Sequence, residues 1–259
     1  MAAAILIGTS GWHYQDWIGS FYPADIIGYN ELRFHAQHFS TVENNSSFYR
    51  IASQATYQTW DRMTPPGYKF SIKLNKLITH YHRLELTDEV IERIQYILET
   101  TAVLKDKRGA ILVQLPASFH VDIQRLATFL HFFAKAVRAQ DHPFDIAIEF
   151  RNKQWFTSET YDLLRKYNVA LTAAQSSRYP GVRQQTADIA YIRFHGPEKL
   201  FASSYSNEAL EDWANYINSL AATTRTIYVY FNNDFHGYAI ANAKTLMQLL
   251  QVQPPENKL

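Results

Sequence analysis

The sequence contains no cysteine, and this absence restricts its chemistry more than any other feature of the composition. Disulfides, thiolate metal sites, iron–sulfur clusters and cysteine nucleophiles are all excluded, whichever compartment the protein occupies. An excess of one charge is also missing, because 25 Lys and Arg balance 24 Asp and Glu to a formal net charge of +1. This balance gives no overall electrostatic reason to bind nucleic acid or an anionic membrane, so we do not favour either as a partner.

Long hydrophobic runs and abrupt changes of composition are absent as well. No apolar stretch reaches the roughly 18 residues of a membrane span, and the start of the chain has no basic leader. The nine prolines and nine glycines are scattered, with no Gly/Ser tract that would mark a linker. We therefore expect one domain over residues 1–259 and a soluble, cytoplasmic protein that does not enter membranes.

The chain does have a regular alternation of short apolar runs and amphipathic stretches. Eight apolar runs predict buried strands at 5–9, 41–45, 69–74, 110–115, 145–150, 170–174, 190–194 and 226–231. The amphipathic stretches predict helices at 30–38, 53–63, 88–104, 122–137, 158–167, 207–220 and 239–250. The predicted helix N-caps are Asp88, Asp122, Ser158 and Asn207. The connection at 175–188 is expected to be irregular.

Eight strand–helix units favour an α/β fold of the closed (β/α)8, or TIM-barrel, type. Strands buried on both faces read as continuous apolar runs, and parallel strands need crossover helices to join them. An open, doubly wound α/β sheet is the alternative. The turn after the first strand, at 8–12, lacks the glycine spacing and the lysine of phosphate-binding loops, which disfavours the open sheet and gives no nucleotide-cofactor motif.

Polar residues stand where the apolar runs end, which predicts a site at one mouth of the barrel. Because side chains two positions apart share a face of a strand, Glu149 shares a face with Arg151, and Arg193 with His195. The predicted catalytic residues are Glu43, Lys73, Glu149, His195 and Asp234. The predicted ligand-binding residues are Trp12, Asn45, Tyr49, His80, Gln114, Arg151, Trp155, Arg193, Asn232 and Asn233.

A structural interpretation competes with the functional one at each of these positions. Lys73 or Arg151 would serve equally well to neutralise a buried glutamate in an ion-pair network. Taken together, so many buried polar groups favour a site, because they are costly unless they pair or bind a ligand. The aromatic residues of the neighbouring loops would either pack in the core or stack on a sugar or a nucleobase.

Seven groups of motifs, taken in order along nearly the whole chain, resemble the domain of unknown function 72 family. They are Gly8-Thr9-Ser10-Gly11-Trp12 with Phe21-Tyr22-Pro23; Val42-Glu43 with Phe48-Tyr49; Phe70-Ser71-Ile72-Lys73 with Thr79-His80; Gln114-Leu115-Pro116 with Ser118-Phe119; Glu149-Phe150-Arg151 with Trp155; Arg193-Phe194-His195-Gly196; and 228–234 with Gly237, Ala239, Asn242 and Ala243.

The resemblance implies a TIM-type barrel with a deep polar pocket at the C-terminal ends of its strands. It implies no established activity. The pocket residues that it suggests are Glu43, Lys73, Glu149, Arg151, His195 and Asp234. Two residues depart from the family pattern: Asn44 replaces the usual apolar residue, and Gln154 replaces the usual serine.

Three functions remain open. The leading hypothesis is an enzyme of the hydrolase or lyase type, in which Lys73, Arg151 and Arg193 bind a small anionic, phosphorylated or sugar-like ligand. A glutamate and His195 would exchange a proton with that ligand. A noncatalytic protein that binds a metabolite is a second hypothesis, because it needs the same kind of pocket.

The third hypothesis is metal-assisted phosphodiester cleavage or nucleic-acid binding. The side chains able to hold a divalent metal are Glu43, Glu149, His195 and Asp234, with His80 and His236 in reserve. The sequence has no paired-histidine metal motif, since His35 and His38 are expected on the outer face of a helix.

Overall fold

The computed structural model describes residues 3–254, which form a closed barrel of eight parallel strands. The strands are β1 Ala4–Thr9, β2 Thr41–Asn44, β3 Lys69–Lys73, β4 Arg108–Gln114, β5 Asp145–Glu149, β6 Ala170–Gln175, β7 Ile189–Phe194 and β8 Thr226–Phe231. β1 also pairs with β8, in a register that runs from Ala4 beside Thr226 to Thr9 beside Phe231. This pairing closes the sheet, so the predicted TIM-type barrel is confirmed and the open sheet is wrong.

Seven α-helices surround the barrel in the described part of the chain. They are α1 Tyr29–His38, α2 Gln54–Met63, α3 Asp88–Thr100, α4 Ile123–Arg138, α5 Ser158–Lys166, α6 Asn207–Leu220 and α7 Tyr238–Leu249. The connection between β6 and β7 has no helix at 176–188, as predicted, and all of these residues are described. Within residues 3–254, no helix combines the length and the apolar character needed to cross a membrane.

Three helices begin at the residue predicted to be the cap, so the observed cap lies one residue earlier. The caps are not Asp88, Ser158 and Asn207 but the residues before them: Thr87, Thr157 and Ser206. Each has an extended backbone, and its side-chain oxygen accepts a hydrogen bond from the backbone N–H three positions later. Asp122 caps α4 as predicted. α3 is also shorter than predicted, because a 3-10 segment over Thr101–Lys107 follows it.

The inside of the barrel changes from apolar to polar toward the C-terminal ends of the strands. An apolar layer fills the lower part, with Leu112, Tyr191 and Tyr228 among its side chains. The Tyr230 hydroxyl lies 2.7 Å from the hydroxyls of both Thr41 and Ser71, at the top of this layer. Because side chains alternate along a strand, the next inward positions are those predicted to carry the site.

Short helical turns follow five of the strands and form the walls of the mouth. They are Gln15–Trp17, Ser46–Phe48, the π-helical turn Leu77–Tyr81, Lys153–Trp155 and Phe235–Gly237. The predicted site residues therefore lie where strand ends and compact turns meet, which is the usual place for the active site of this fold.

The position expected for His35 is wrong, because the residue does not lie on the outer face of α1. It is fully buried, with Nε2 2.9 Å from Thr9 Oγ1 and Nδ1 3.0 Å from the Tyr68 hydroxyl. Burial lowers its pKa to about 3, so the ring is neutral. His35 thus joins α1 to the barrel.

Candidate active site at the barrel mouth

Arg193 lies at the centre of the mouth and has no exposed surface. One terminal nitrogen, Nη2, donates to Glu43 Oε1 at 2.6 Å, and the other, Nη1, donates to Glu149 Oε2 at 2.6 Å. These residues lie near the C-terminal ends of β2, β5 and β7, so the ion pairs join strands that are not neighbours in the barrel. We call Glu43, Glu149, Arg151 and Arg193 the ion cluster.

Glu43 is held by neutral donors as well as by Arg193. The Tyr191 hydroxyl donates to Oε2 at 2.7 Å, and the Ser10 hydroxyl donates to Oε1 at 2.8 Å. Burial alone would raise the pKa of Glu43, but the Arg193 charge and these hydrogen bonds outweigh burial and lower it. The carboxylate is therefore ionised at neutral pH.

Glu149 accepts a second arginine, because Arg151 Nε donates to Oε1 at 3.0 Å. Burial alone would raise its pKa, but the Arg193 and Arg151 guanidinium groups hold the pKa of Glu149 well below its usual value. Its other close neighbour is His195, whose Nε2 is 3.4 Å from Oε2. Asn232 Nδ2 is 3.0 Å from His195 Nδ1. The amide donates to Nδ1, which places the ring proton on Nε2.

His195 is neutral in this setting, since burial lowers its pKa and the Glu149 charge does not reverse the effect. The hydrogen bond from Asn232 fixes the ring orientation. Glu43, Glu149, Arg193 and His195, all named from the sequence, are thus brought into one connected group.

Lys73 faces the ion cluster without joining it. In the described part of the chain Lys73 forms no ion pair within 4.0 Å, and its Nζ lies 4.3 Å from the centroid of the Phe48 ring. Burial, together with the charges of Arg193 and Arg151, lowers its pKa to about 7. A large fraction of this amine is therefore neutral and nucleophilic at physiological pH.

Asp234 is the second group with a pKa near neutrality. Its Oδ1 is buried and has no hydrogen-bond partner among the described residues. Burial raises the pKa of Asp234 to about 8, and the negative charge of Glu43 adds to this effect. Asp234 lines a cavity of about 430 Å³. Its other lining residues are Tyr14, Gln15, Asp16, Phe201, Asn232 and Phe235.

Amide groups supply unsatisfied acceptors around the same mouth. Gln114 Oε1 and Asn45 Oδ1 are buried and have no partner among residues 3–254. Gln114 sits beside Glu149 in the β4–β5 register and so faces the barrel interior. Asn233 Oδ1 is likewise buried without a partner, while its Nδ2 donates to Ser203 O and to Asn242 Oδ1, both at 2.9 Å, and fastens the adjoining loop.

The predicted ligand-binding aromatic residues pack on other rings or lie at the surface. Trp155 has no exposed surface, stacks on Phe150 at 4.7 Å, and donates from Nε1 to a backbone oxygen, so its observed role is core packing. Trp12 packs edge-on against Trp60 at 4.9 Å. Tyr49 is 70% exposed on the outer rim.

His80 lies close to Lys73 at the rim of the mouth. Its ring meets the Phe48 ring edge-on at 4.8 Å, and Nδ1 is 2.9 Å from the Thr79 hydroxyl. Burial first, then the charges of Lys73 and Arg151, lower its pKa to about 4, so His80 is neutral.

The predicted set omitted Ser10 and Tyr191, the two neutral donors to Glu43. A signal for Tyr191 was available, because it stands two residues before Arg193 and shares its face of β7. Tyr14 was also omitted. Its hydroxyl donates to the Ser10 carbonyl oxygen beside Asp234.

The four suggested metal ligands do not form a metal-binding group. No set of three or more His, Asp or Glu side chains in residues 3–254 is arranged to hold a metal ion. The carboxylate oxygens of Glu43 and Glu149 already accept hydrogen bonds from arginine, tyrosine and serine side chains.

Comparison with known proteins places this mouth in a family context. The family described as "Protein of unknown function DUF72" matches residues 6–258. The UPF0759 protein YunF of Bacillus subtilis (strain 168) is 26% identical over 96% of this chain and 95% of its own length. The UPF0759 protein YecE of Escherichia coli (strain K12) is 25% identical over 59% of this chain and 50% of its own length.

Solved structures of DUF72 family proteins are also similar to this chain. A DUF72 family protein of Thermotoga maritima superposes with a TM-score of 0.79 at 26% identity, over 96% of this chain and 99% of that one. One from Enterococcus faecalis has a TM-score of 0.81 at 20% identity, over 98% and 99%. A D-psicose 3-epimerase shares the fold alone, with a TM-score of 0.53 at 11% identity over 86% and 91%. The chain therefore belongs to the DUF72 family, as its ordered motifs indicate.

Proposed function

We propose that the mouth is the active site of an enzyme that moves protons in a small anionic or sugar-like ligand, with Lys73 as the base and Asp234 as the acid. One observation carries the proposal: the Lys73 amine, with a pKa of about 7, and the Asp234 carboxyl, with a pKa of about 8, both lie at the mouth of the barrel. Between these values a useful fraction of Lys73 is neutral while Asp234 keeps its proton, which is the state that acid–base catalysis requires.

This pair suits reactions of the lyase or hydrolase type. In an elimination, Lys73 Nζ takes a proton from carbon and Asp234 gives its proton to the departing oxygen. In a hydrolysis, Lys73 takes the proton from an attacking water and Asp234 again protonates the leaving group. Both reactions use the groups as they stand at neutral pH.

The remaining residues receive positioning roles in this proposal. Glu43 and Glu149 are ionised and bound to arginines, so they fix Arg193 rather than exchange protons. His195 is neutral and orients Glu149 through Nε2. These roles replace the proton exchange by a glutamate and His195 that the sequence alone suggests.

Ligand recognition falls to groups with unused hydrogen-bonding capacity. Gln114 and Asn45 carry buried oxygens without partners, which would accept hydrogen bonds from ligand hydroxyls. Phe201 and Phe235 line the cavity beside Asp234 and would cover the apolar face of a sugar-like ligand.

The test is a turnover panel of phosphoesters, glycosides, lactones and hydroxy acids with matched lysine variants. We expect Lys73→Met to lower kcat/KM by about 100-fold or more, because it removes the base. Lys76→Met is the control, since Lys76 stacks on Tyr49 and Tyr81 at the outer rim. Full turnover by a folded Lys73→Met variant would refute the proposal.

The pH profile supplies an independent readout. For the wild type, kcat/KM should rise through about pH 7 as Lys73 loses its proton and fall through about pH 8 as Asp234 loses its own. Asp234→Asn should reduce turnover at every pH and remove the fall near pH 8. If the panel gave tight binding and no turnover of any compound, a noncatalytic binding function would replace the proposal.

A further inference from the structure

A second cavity, of about 480 Å³, opens beside the ion cluster between the loops that follow β5 and β6. Its lining includes Arg151, Lys153, Ser176, Ser177, Arg178 and Tyr179. Three of the lining residues are cationic, and no lining residue is acidic. We call this the basic cavity. Arg151 belongs to both the basic cavity and the ion cluster, so the two are continuous.

Stacking on one tyrosine ring helps to hold two of these cations in place, and Arg178 has no carboxylate partner among the described residues. The Arg151 guanidinium lies 4.2 Å from the centroid of the Tyr179 ring, and the Arg178 guanidinium lies 5.5 Å from the same centroid. A guanidinium stacked on a ring keeps its N–H groups free in its own plane.

The donors of these cations are largely unused. Arg151 Nε donates to Glu149, and the two terminal nitrogens of Arg151 have no hydrogen-bond partner in the described part of the chain. Lys153 and Arg178 form no ion pair with any described residue. Lys153 and Arg178 therefore present positive charge that no described carboxylate neutralises, and Arg151 adds two free terminal nitrogens.

The walls of the cavity are fixed by short-range hydrogen bonds. Ser176 Oγ accepts from the backbone N–H of Arg178 at 3.1 Å and of Tyr179 at 3.2 Å. On the opposite wall, Asn152 Nδ2 donates to the Ala117 oxygen at 3.0 Å. A wall ordered in advance lowers the entropy cost of binding a charged ligand.

We propose that the basic cavity binds a phosphate monoester group of the ligand, and that the rest of the ligand extends past Arg151 toward Lys73. Two charges on the phosphate match three converging cations, and the terminal nitrogens of Arg151 suit bidentate contact with phosphate oxygens. The direction of the rest of the ligand depends on the proposed function, whereas the phosphate site does not.

A phosphodiester chain is a poorer match. Nucleic-acid binding draws on a track of cations along a surface, whereas these three converge on one cavity in a chain whose formal net charge is +1. This difference separates a phosphorylated small molecule from DNA or RNA in the experiment below.

The probes are inorganic phosphate and dimethyl phosphate, titrated calorimetrically into the full chain at pH 8 and constant ionic strength. We expect inorganic phosphate to bind at least about 10-fold more tightly than the diester, because only the monoester-like dianion matches the three cations. Arg178→Met and Lys153→Met should each weaken phosphate binding about 5-fold or more. Arg62→Met, on the exposed surface of α2, should leave it unchanged.

Three results would overturn the proposal: no binding of phosphate, equal affinity for both probes, or affinity unchanged in Arg178→Met and Lys153→Met. Displacement of phosphate by a short single-stranded oligonucleotide at much lower concentration would assign the cavity to nucleic acid instead. Lys73→Met separates the two proposals, since it should lose turnover and keep phosphate affinity. Lost turnover without phosphate binding would refute only the phosphate site, and retained turnover with phosphate binding would refute only the proposed function.

Discussion

Arg193 is buried together with two carboxylates, so replacing it leaves two charges in the protein interior without a partner. We expect Arg193→Met to lower the free energy of unfolding at pH 7 by about 3–5 kcal/mol, measured by urea denaturation. The surface variant Arg62→Met should change it by less than about 0.5 kcal/mol. A loss for Arg193→Met as small as that of this control would contradict the importance assigned to the ion cluster.

The effect of Arg193→Met should also depend on pH. In the wild type the folded pKa values of Glu43 and Glu149 lie below the ordinary 4.5, so their stabilising contribution is present above pH 4.5 and disappears as pH falls through the folded values. In the variant, burial without arginine raises both pKa values, and protonation then relieves the penalty. The difference in unfolding free energy should therefore shrink between pH 7 and pH 4. An unchanged difference would contradict this explanation.

The contribution of Asp234 to the free energy of unfolding changes with pH in the opposite direction to that of Glu43 and Glu149. The folded pKa of Asp234, about 8, exceeds the ordinary 3.8, so its contribution is fully present below pH 3.8 and is lost as pH rises toward 8. Asp234→Asn cannot ionise and should gain stability relative to the wild type by about 3–4 kcal/mol between pH 5 and pH 8. Chemical denaturation over this range tests the prediction. Asp141→Asn, at an exposed position, should show no such trend, and a flat difference for Asp234→Asn would refute it.

At the residue scale, the sequence predicts which face of a strand a side chain occupies better than it predicts which residue that side chain contacts. The side-chain alternation of a strand is a local property, so it predicts that Glu149 shares a face with Arg151 and Arg193 with His195. It does not predict which carboxylate meets Arg193, because that depends on strands distant in sequence. The lowered pKa of Lys73 could not be predicted from the sequence either, since it depends on burial and on neighbouring charges that only the folded chain brings together.

At the element scale, the start of α5 offers a direct test of capping. Thr157 has the extended backbone of a cap and accepts a hydrogen bond from the Thr160 N–H, whereas Ser158 already lies in the helix. Thr157→Ala should cost about 1 kcal/mol of unfolding free energy, and Ser158→Ala much less. Urea denaturation of the two variants measures the order, and the reverse order would show that Ser158 is the cap in solution.

The same helix explains why boundaries are harder to predict than elements. Thr157 and Ser158 are adjacent hydroxyl residues, and composition alone does not decide between them, whereas the backbone angles at Thr157 do. The strands were easier, because each apolar run is bounded by polar residues. The π-helical turn Leu77–Tyr81 carries no sequence pattern that distinguishes it from an ordinary loop.

At the scale of the whole molecule, the layer between barrel and helices contains two separate apolar clusters. One contains Phe129 and packs over β2 to β5, and the other contains Leu210 and packs over β7, β8 and β1. Stability can therefore differ between the two sides of the barrel.

Hydrogen exchange on two core variants tests this division. Phe129→Ala should accelerate amide exchange mainly in β4 and β5, and Leu210→Ala mainly in β7 and β8, because each removes packing from one cluster. The wild type provides the reference rate at each amide. Uniform acceleration of all strands by both variants would show that the barrel opens as a single unit.

The whole fold was the most predictable level. Eight strand–helix units with one irregular connection have few arrangements that leave no sheet edge exposed, and the closed barrel is one of them. The ordered motifs predict the family to which the chain belongs. The basic cavity was not predictable, because Arg151 and Arg178 converge on Tyr179 only through the irregular β6–β7 connection.

Under the proposed function, the ion pairs of Arg193 also set a depth limit for the ligand. They span the barrel directly above the apolar layer, so under the proposed function a ligand entering the mouth would stop at the level of Arg193 and occupy only the space enclosed by the loops. Ligand size then depends on loop length and loop sequence, while the barrel diameter has little influence. DUF72 proteins that keep this arginine should therefore diversify in ligand through the loops after β1, β5, β6 and β8, with an unchanged floor beneath them.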